Sequence, residues 1–363
     1  MKILSIVGAR PQFVKMAVIG RAIEAARDPS LQHCIIHTGQ HYDFSMNGVF
    51  FEELRIAAPD HNLGVGSGSH ADQTGEMLKR LEPVLMEEKP DWVVLYGDTN
   101  STLAGAVVAS KLGQRLAHVE AGLRSYNRRM PEELNRIVAD HLSDLLLCPT
   151  SAAMDNLGKE GLAGRAALTG DVMFDATLAC RKEAEQRGGV LAENWKPGQF
   201  ALATVHRAEN TDDPQRLEEI LRALDHIAER VCPVAMPLHP RTRKCMASAG
   251  YSVRAVQLLP PCSYLDMILL ETRARFILTD SGGVQKEAYF VQVPCITLRD
   301  ETEWVETLQN HCNVLAGADQ ETILRAVESC GSAGPWTAAF GDGAAGKRIV
   351  EILRTGAASA VAK

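Results

Sequence analysis

The sequence predicts an α/β fold built from two doubly wound, Rossmann-like domains, and three observations lead there. At 363 residues the chain is longer than one hydrophobic core usually organises. Short, continuous apolar runs alternate with amphipathic stretches, the pattern of parallel strands covered by helices on both faces. The same alternation starts afresh in the second half of the chain.

The expected strands of the first half are KILSIVG, HCIIHTG, DWVVLYG, LAHVEAG and LLLCPT, with helices such as FVKMAVIGRAIEAA and TLAGAVVASKLG between them. Those of the second half are FALATVH, CPVAMPLHP, VQLLPP, ARFILTD and VPCITLR, with PQRLEEILRALDHIAERV as a connecting helix. The least structured connection, RKEAEQRGGVLAENWKPGQF, opens the second domain, which puts the hinge near residues 165–180. GDGAAGKRIVEILR reads as a glycine-rich turn and a helix, and GAASAVAK as a frayed tail. The expected domains are residues 1–170, residues 171–345, and a C-terminal helix and tail at 346–363 packing back on the first.

Hydrophobic residues make up 46% and charged residues 23%, which describes a folded globular chain rather than a disordered one. A net charge of −7 argues against a nucleic-acid partner but leaves room for a locally basic cleft. The nine cysteines are scattered, odd in number and never spaced as CxxC, so buried free thiols are expected, without disulfides or a metal. No apolar run approaches the roughly 18–20 residues of a membrane span, and MKILSIVGARP is too short for a secretory signal. A cytoplasmic protein with no membrane partner is expected.

Candidate site residues fall at the strand ends, where open α/β sheets bind ligands. Asp98 follows DWVVLYG and Glu120 ends LAHVE, so both acids should face one crevice. Glu132 follows Pro131 at a helix start, where an acid also offsets the helix dipole, and Glu133 fits that plainer reading better. His206 ends FALATVH, and His239 and Arg241 end another strand in LHPRTR. Arg10 in GARPQFVK offers a fork of donors to an anion, assisted by Lys15 one turn on, though a surface arginine after a turn is the alternative. In TDSGGVQKEAYF, Ser281, Gly282 and Gly283 open a helix whose free N–H groups suit a phosphate. They also suit a plain cap and turn. Glu287, one turn further, is placed to accept hydrogen bonds from ribose hydroxyls. G-x-G-x-x-G follows no candidate strand, and no G-x-S-x-G elbow is present. Carboxylates with a histidine suit acid–base chemistry, because crowded acids push one another's pKa values apart.

Together these segments closely resemble the non-hydrolysing UDP-N-acetylglucosamine 2-epimerase family. GARP, TGQH, GDTNSTLAG, HVEAGLRS, MPEELNR, TGDVMFDA, TVHRAEN, PLHPRT, LTDSGGVQKEA and GDGAAGKRI run in the family's order over nearly the whole chain. The resemblance implies a GT-B-like fold, the type of UDP-glycosyltransferases and glycogen phosphorylase, with an interdomain cleft and a homodimer. It places the acid–base residues on Asp98, Glu120, Glu132 and His206. It places UDP binding on Arg10, Lys15, Ser281, Gly282, Gly283 and Glu287. The implied chemistry is C2 deprotonation with anti elimination of UDP, a 2-acetamidoglucal, and re-addition of UDP after C2 is reprotonated from the other face. No cofactor is required.

GARPQ and TEWVE depart from the GTRPE and TERPE of members acting on plain UDP-N-acetylglucosamine. Trp304 thus stands where the binding set usually has an arginine, and Gln12 where it has a glutamate. Both variants resemble the branch acting on UDP-2,3-diacetamido-2,3-dideoxy-glucuronate in bacterial surface polysaccharide synthesis, and the lost acid is compatible with an acidic sugar. Asp43 and Asp72 stand at activator-site positions that are polar or basic in activated members, so activation by UDP-N-acetylglucosamine is not expected. A GT-B glycosyltransferase, a hydrolysing 2-epimerase and a nucleotide-sugar sensor without turnover are the alternative functions.

Overall fold

The computed structural model describes residues 1–40, 57–188, 194–330 and 334–356. These divide into two units: the described residues of Met1–Ala176 with Ala338–Lys363, and those of Thr177–Thr337.

The first unit holds a seven-stranded parallel sheet in the order β3-β2-β1-β4-β5-β6-β7. Its strands are β1 (Lys2–Val7), β2 (Gln32–His37), β3 (His61–Asn62), β4 (Trp92–Tyr96), β5 (Leu116–Val119), β6 (Leu145–Cys148) and β7 (Ala166–Leu168). Both faces of β4, β5 and β6 are buried, which explains why β4 and β6 read as unbroken apolar runs, and why β5 departs from that pattern only at His118. The core packs Leu4, Ile6, Val93 and Leu95 against Met77, Leu81 and Leu85 of the His70–Glu88 helix.

The second unit repeats the plan with six parallel strands in the order β10-β9-β8-β11-β12-β13. They are β8 (Ala201–Thr204), β9 (Val234–Pro237), β10 (Gln257–Leu259), β11 (Phe276–Thr279), β12 (Cys295–Thr297) and β13 (Asn313–Leu315). The Pro214–Arg230 helix buries Leu217, Ile220, Leu221, Leu224 and Ile227 against this sheet, a spacing that keeps them on one helical face. The strand order reverses direction between β1 and β4 in one unit and between β8 and β11 in the other. Loops leaving the carboxyl ends there diverge and open a crevice in each sheet.

The chain leaves the first unit after Ala176 and returns at Ala338, so residues 171–176 and 338–345 lie with the first sheet. Local hydrogen bonds account for this. Asp171 N donates to Phe340 O at 2.9 Å, and the Asp175 carboxylate accepts from the N–H groups of Ala345 and Gly346 at 3.1 and 2.9 Å. Asp175 thereby satisfies the free donors of the Ala345–Thr355 helix. That helix lies against the Arg10–Ala25 helix so closely that a Cβ at Gly346 would sit 2.6 Å from Val18 Cγ1. Trp92 Nε1 donates to Leu353 O at 2.9 Å and fixes its far end. All nine cysteines are free thiols, seven of them buried. No helix among the described residues is long and apolar enough to cross a membrane.

Candidate active site

In the first unit the strand-end residues converge at the β1/β4 switch point. β1 runs into Gly8, and the Arg10–Ala25 helix opens with Pro11 in its first turn. Gln12 is buried there, and all of its amide is used. Its Oε1 accepts from Gly8 N and Ala9 N at 2.8 and 3.0 Å, while Nε2 donates to Tyr96 O and Thr102 Oγ1 at 2.8 and 3.0 Å. Gln12 therefore ties the turn after β1 to the turn after β4, a task that needs donor and acceptor together. Gln12→Glu would aim a carboxylate at the Tyr96 carbonyl. We expect a stability loss of about 1–3 kcal/mol, read as a fall in the urea midpoint at unchanged slope.

Lys15, one turn on, is buried and ion-paired with Glu120. A Cβ placed on Gly97 would lie 3.2 Å from Lys15 Nζ and 3.4 Å from Glu120 Oε2, so the two charges meet beneath the loop after β4. Glu120 is 9% exposed and adopts a left-handed backbone, φ 71°, directly after β5. Such a conformation is uncommon for a residue with a side chain and is held only where the surroundings impose it. Asp98, half-buried, pairs with Arg136 Nη2, and its backbone carbonyl accepts from Asn135 Nδ2 at 2.9 Å. Arg10 and Glu132 are exposed at the starts of their helices.

Several residues that order this region were not candidates for the site in the sequence reading, which gave Glu133 to the helix dipole. Glu133 is buried and accepts from Ser125 N, Ser125 Oγ and Tyr126 N at 2.9, 3.0 and 2.9 Å, folding the arginine-rich loop onto its helix. His118 is fully buried, its Nε2 donating to Gly97 O at 2.7 Å and its Nδ1 facing Asp140 Oδ1 at 2.7 Å. Burial pushes the Asp140 carboxyl up, but His118 and Arg124 outweigh it and hold the group below its ordinary value. Arg124 grips Glu160 through Nε and Nη2, each at 2.7 Å. The loop's arginines thus divide: Arg124 is structural, Arg136 braces Asp98, and Arg128 and Arg129 are exposed. The signal for Arg136 was its place in MPEELNR, three residues after Glu133 on one helical face, with which it also pairs at 3.3 Å.

In the second unit the corresponding switch point lies between β8 and β11. Asp280, fully buried, accepts from His206 N through both oxygens at 3.0 and 2.9 Å, from Arg207 N at 2.9 Å and from Asn210 Nδ2 at 3.2 Å. This carboxylate fixes the backbone that presents the His206 ring, which is 5.4 Å from the His239 ring between centroids. Burial lowers the His206 pKa; Asp280 opposes the shift, and His239 and Arg207 add to it. The result is an imidazole that stays neutral further into acid than a free histidine. His239 caps its own helix, Nδ1 accepting from Arg241 N at 3.2 Å. Arg241 is engaged with Thr211 Oγ1 at 2.8 Å and with both oxygens of Asp212, so its fork already grips an acid.

Ser281 caps the Gly282–Phe290 helix, its Oγ accepting from Val284 N. A Cβ on Gly282 would lie 2.5 Å from Glu303 Oε1 and 3.2 Å from Trp304 Nε1, so a side chain at this helix start would displace the Glu303 carboxylate. Trp304 is buried with the Lys286 ammonium 3.9 Å above its ring, while Gly283 follows at the first turn. Glu287 accepts from Tyr264 Oη at 2.9 Å. Of the residues assigned from the sequence, Lys15 and Glu120 meet in one unit. In the other, Ser281, Gly282 and Trp304 meet, and His206 lies beside His239.

Asp72 accepts from Ser69 Oγ at 2.7 Å within the first turn of its helix, and Asp43 lies outside the described residues. Cys34, His61 and Glu88 come together elsewhere in the first unit, but Lys2 already pairs with Glu88 and the Cys34 thiol is pushed up to about 12, chiefly by burial. That cluster is organised as an ion pair, with its thiol protonated.

Comparison with known proteins gives this arrangement a family. The family described as UDP-N-acetylglucosamine 2-epimerase matches residues 23–354. A Methanococcus maripaludis protein named as a UDP-N-acetylglucosamine 2-epimerase homolog is 48% identical over 98% of this chain and 99% of its own. The UDP-2,3-diacetamido-2,3-dideoxy-D-glucuronate 2-epimerase of Pseudomonas aeruginosa is 49% identical over 97% of this chain and 99% of its own. The solved UDP-GlcNAc 2-epimerase of Methanocaldococcus jannaschii, in complex with UDP-GlcNAc and UDP, superposes with a TM-score of 0.87 at 43% identity, covering 98% of this chain and 100% of that one. The chain has the two parallel, helix-flanked sheets of a GT-B-like fold, and it belongs to the UDP-N-acetylglucosamine 2-epimerase family of isomerases.

Proposed function

We propose that the protein inverts C2 of a UDP-linked acetamido sugar, from gluco to manno, with UDP-2,3-diacetamido-2,3-dideoxy-D-glucuronate as its substrate and UDP-N-acetylglucosamine as the next best. The observation that carries the acid–base part is Glu120: a buried carboxylate held in a left-handed backbone at a strand end and charge-paired with Lys15. The substrate is supported by the name of the Pseudomonas relative and by Trp304, buried beside Gly282 where plain UDP-N-acetylglucosamine enzymes have an arginine.

One group of the set Asp98, Glu120, Glu132 and His206 takes the C2 proton while UDP departs from C1 with its bonding electron pair. The products of that step are UDP and an enzyme-held 2-acetamidoglucal. Reprotonation of C2 from the opposite face and return of a UDP oxygen to C1 complete the inversion, with no net oxidation. Between the steps UDP is held by the helix start at Ser281, Gly282 and Gly283, by Glu287 on the ribose, and by Arg10, His239 and Arg241. Lys15, assigned to UDP in the sequence reading, is better suited to holding Glu120 as a carboxylate. We place the reaction in bacterial surface polysaccharide synthesis, carried out by a cytoplasmic homodimer.

Incubation in D₂O with each nucleotide sugar, following C2 by proton NMR, tests the reading. Deuterium at C2 and a manno product with the diacetamido-uronate, and far less with UDP-N-acetylglucosamine, is the expected result. Equal or faster exchange with the simple sugar overturns the substrate assignment. Exchange with neither, despite UDP binding, transfers the argument to a glycosyltransferase or a sensor.

A further inference from the structure

Glu271 has no part in the chemistry above, yet it is fully buried, in the helix Tyr264–Arg273. Among the described residues no hydrogen-bond donor reaches either of its carboxyl oxygens. Its seven-residue spacing from Tyr264 puts both on one face of that helix, which packs on the helix Gly282–Phe290. Tyr264 Oη donates to Glu287 Oε1 at 2.9 Å, and the Glu271 carboxyl faces the same Glu287, close enough for the two acids to titrate as a pair. The other ionisable groups around the three are Cys180 beside Tyr264, Lys286 beside Glu287 and Cys295 beside Glu271. Among these described neighbours Lys286 is the cation, and its ammonium also stands over the Trp304 ring.

Two carboxylates in one dry site cannot both ionise cheaply, so the pair keeps a proton. Burial pushes both acids above the ordinary carboxylate range, Glu271 furthest. Glu287 accepts from the Tyr264 hydroxyl while no donor among the described residues reaches Glu271, so the geometry puts the shared proton on Glu271. We propose that Glu271 is a positioning residue for the nucleotide: it keeps one proton for the pair and presents it to Glu287, which stays the charged acceptor for two vicinal ribose hydroxyls. The nucleotide half of this statement rests on the proposed function; the retained proton does not.

A neutral acid can only donate, so it orients Glu287 without competing for the sugar. Glutamine at 271 can also donate, through its amide, whereas leucine cannot. Infrared difference spectra of the ligand-free protein, wild type minus Glu271→Gln, are expected to show a protonated carboxyl band at pH 7. Calorimetric titration with UDP and with 2′-deoxy-UDP reads the second half. Glu271→Gln keeps the preference for UDP, and Glu271→Leu, folded by circular dichroism, loses it by about tenfold, the scale of one net hydrogen bond.

Absence of the acid band overturns the inference whatever the protein binds. The band together with full ribose preference in Glu271→Leu overturns the positioning role. The band together with no UDP binding by the wild type refutes the nucleotide reading and the positioning role, and leaves the shared proton standing.

Discussion

Glu120→Gln is expected to lower C2 deuterium exchange by about 10²–10⁴-fold, the range for removing a general acid or base, while UDP affinity is largely kept. The side chain keeps its volume and its place after β5, but it no longer accepts or delivers a proton at neutral pH. It also takes the counter-charge from Lys15, which is buried with it. Breaking a buried pair from one side costs about 3–5 kcal/mol, so instability contributes to the loss. The double variant Lys15→Met, Glu120→Gln separates the two effects. It removes the stranded charge and should recover thermal stability, but not exchange. Wild-type exchange in a folded Glu120→Gln protein removes Glu120 from the mechanism.

Asp280→Ala is expected to lower stability by about 3 kcal/mol or more. It strands the N–H groups of His206 and Arg207 and the Asn210 amide around a buried gap. At about 2–4 °C per kcal/mol for a unit of this size, the melting midpoint should fall by roughly 6–12 °C. Asp280→Asn keeps the shape and tests the electrostatics. In the wild type the His206 pKa is lowered by burial and partly restored by the Asp280 charge. Removing that charge lowers it further. If neutral His206 moves a proton, the acid limb of the exchange profile lies below pH 6.5 in the wild type and shifts to lower pH in Asp280→Asn. The stability contribution follows the same sign. A histidine whose folded pKa is depressed binds fewer protons than in the unfolded chain, so stability is lost as pH falls from 6.5 through the folded value. An acid limb that does not move in Asp280→Asn excludes His206 as its source.

The site was only partly legible in the sequence, and the division has a physical cause. His206, Asp98, Glu120 and the Ser281–Gly283 turn stand where apolar runs stop, and strand ends in a parallel sheet are where ligands bind. The residues that hold them in place were not legible. Asp280 reaches His206 across 74 positions, and Gln12 reaches Tyr96 across 84. Such partnerships follow from which strands become neighbours, and no periodic pattern records them. Glu132 and Glu133 differ for a local reason. On one helical turn they point apart, so the first is exposed and the second folds the preceding loop.

The α/β class, the repetition of one plan in two halves, and the strand ends that carry the acids and the helix-start glycines are all legible in the residue pattern. Apolar period and turn residues are local properties, and β4, β5, β6, β8 and β11 each carry enough of them. The tertiary structure alone decided the short strands β3, β7 and β13, which have two or three residues each and form only because a neighbour pairs with them. It also placed residues 338–345, expected in the second domain, with the first sheet, where Asp171 and Asp175 bind Phe340 and Ala345. And it decided each charge's partner: Lys15 for Glu120, Arg136 for Asp98, Glu271 beside Glu287. A buried charge must meet an opposite charge or give up its ionisation, and only packing settles which of the two occurs.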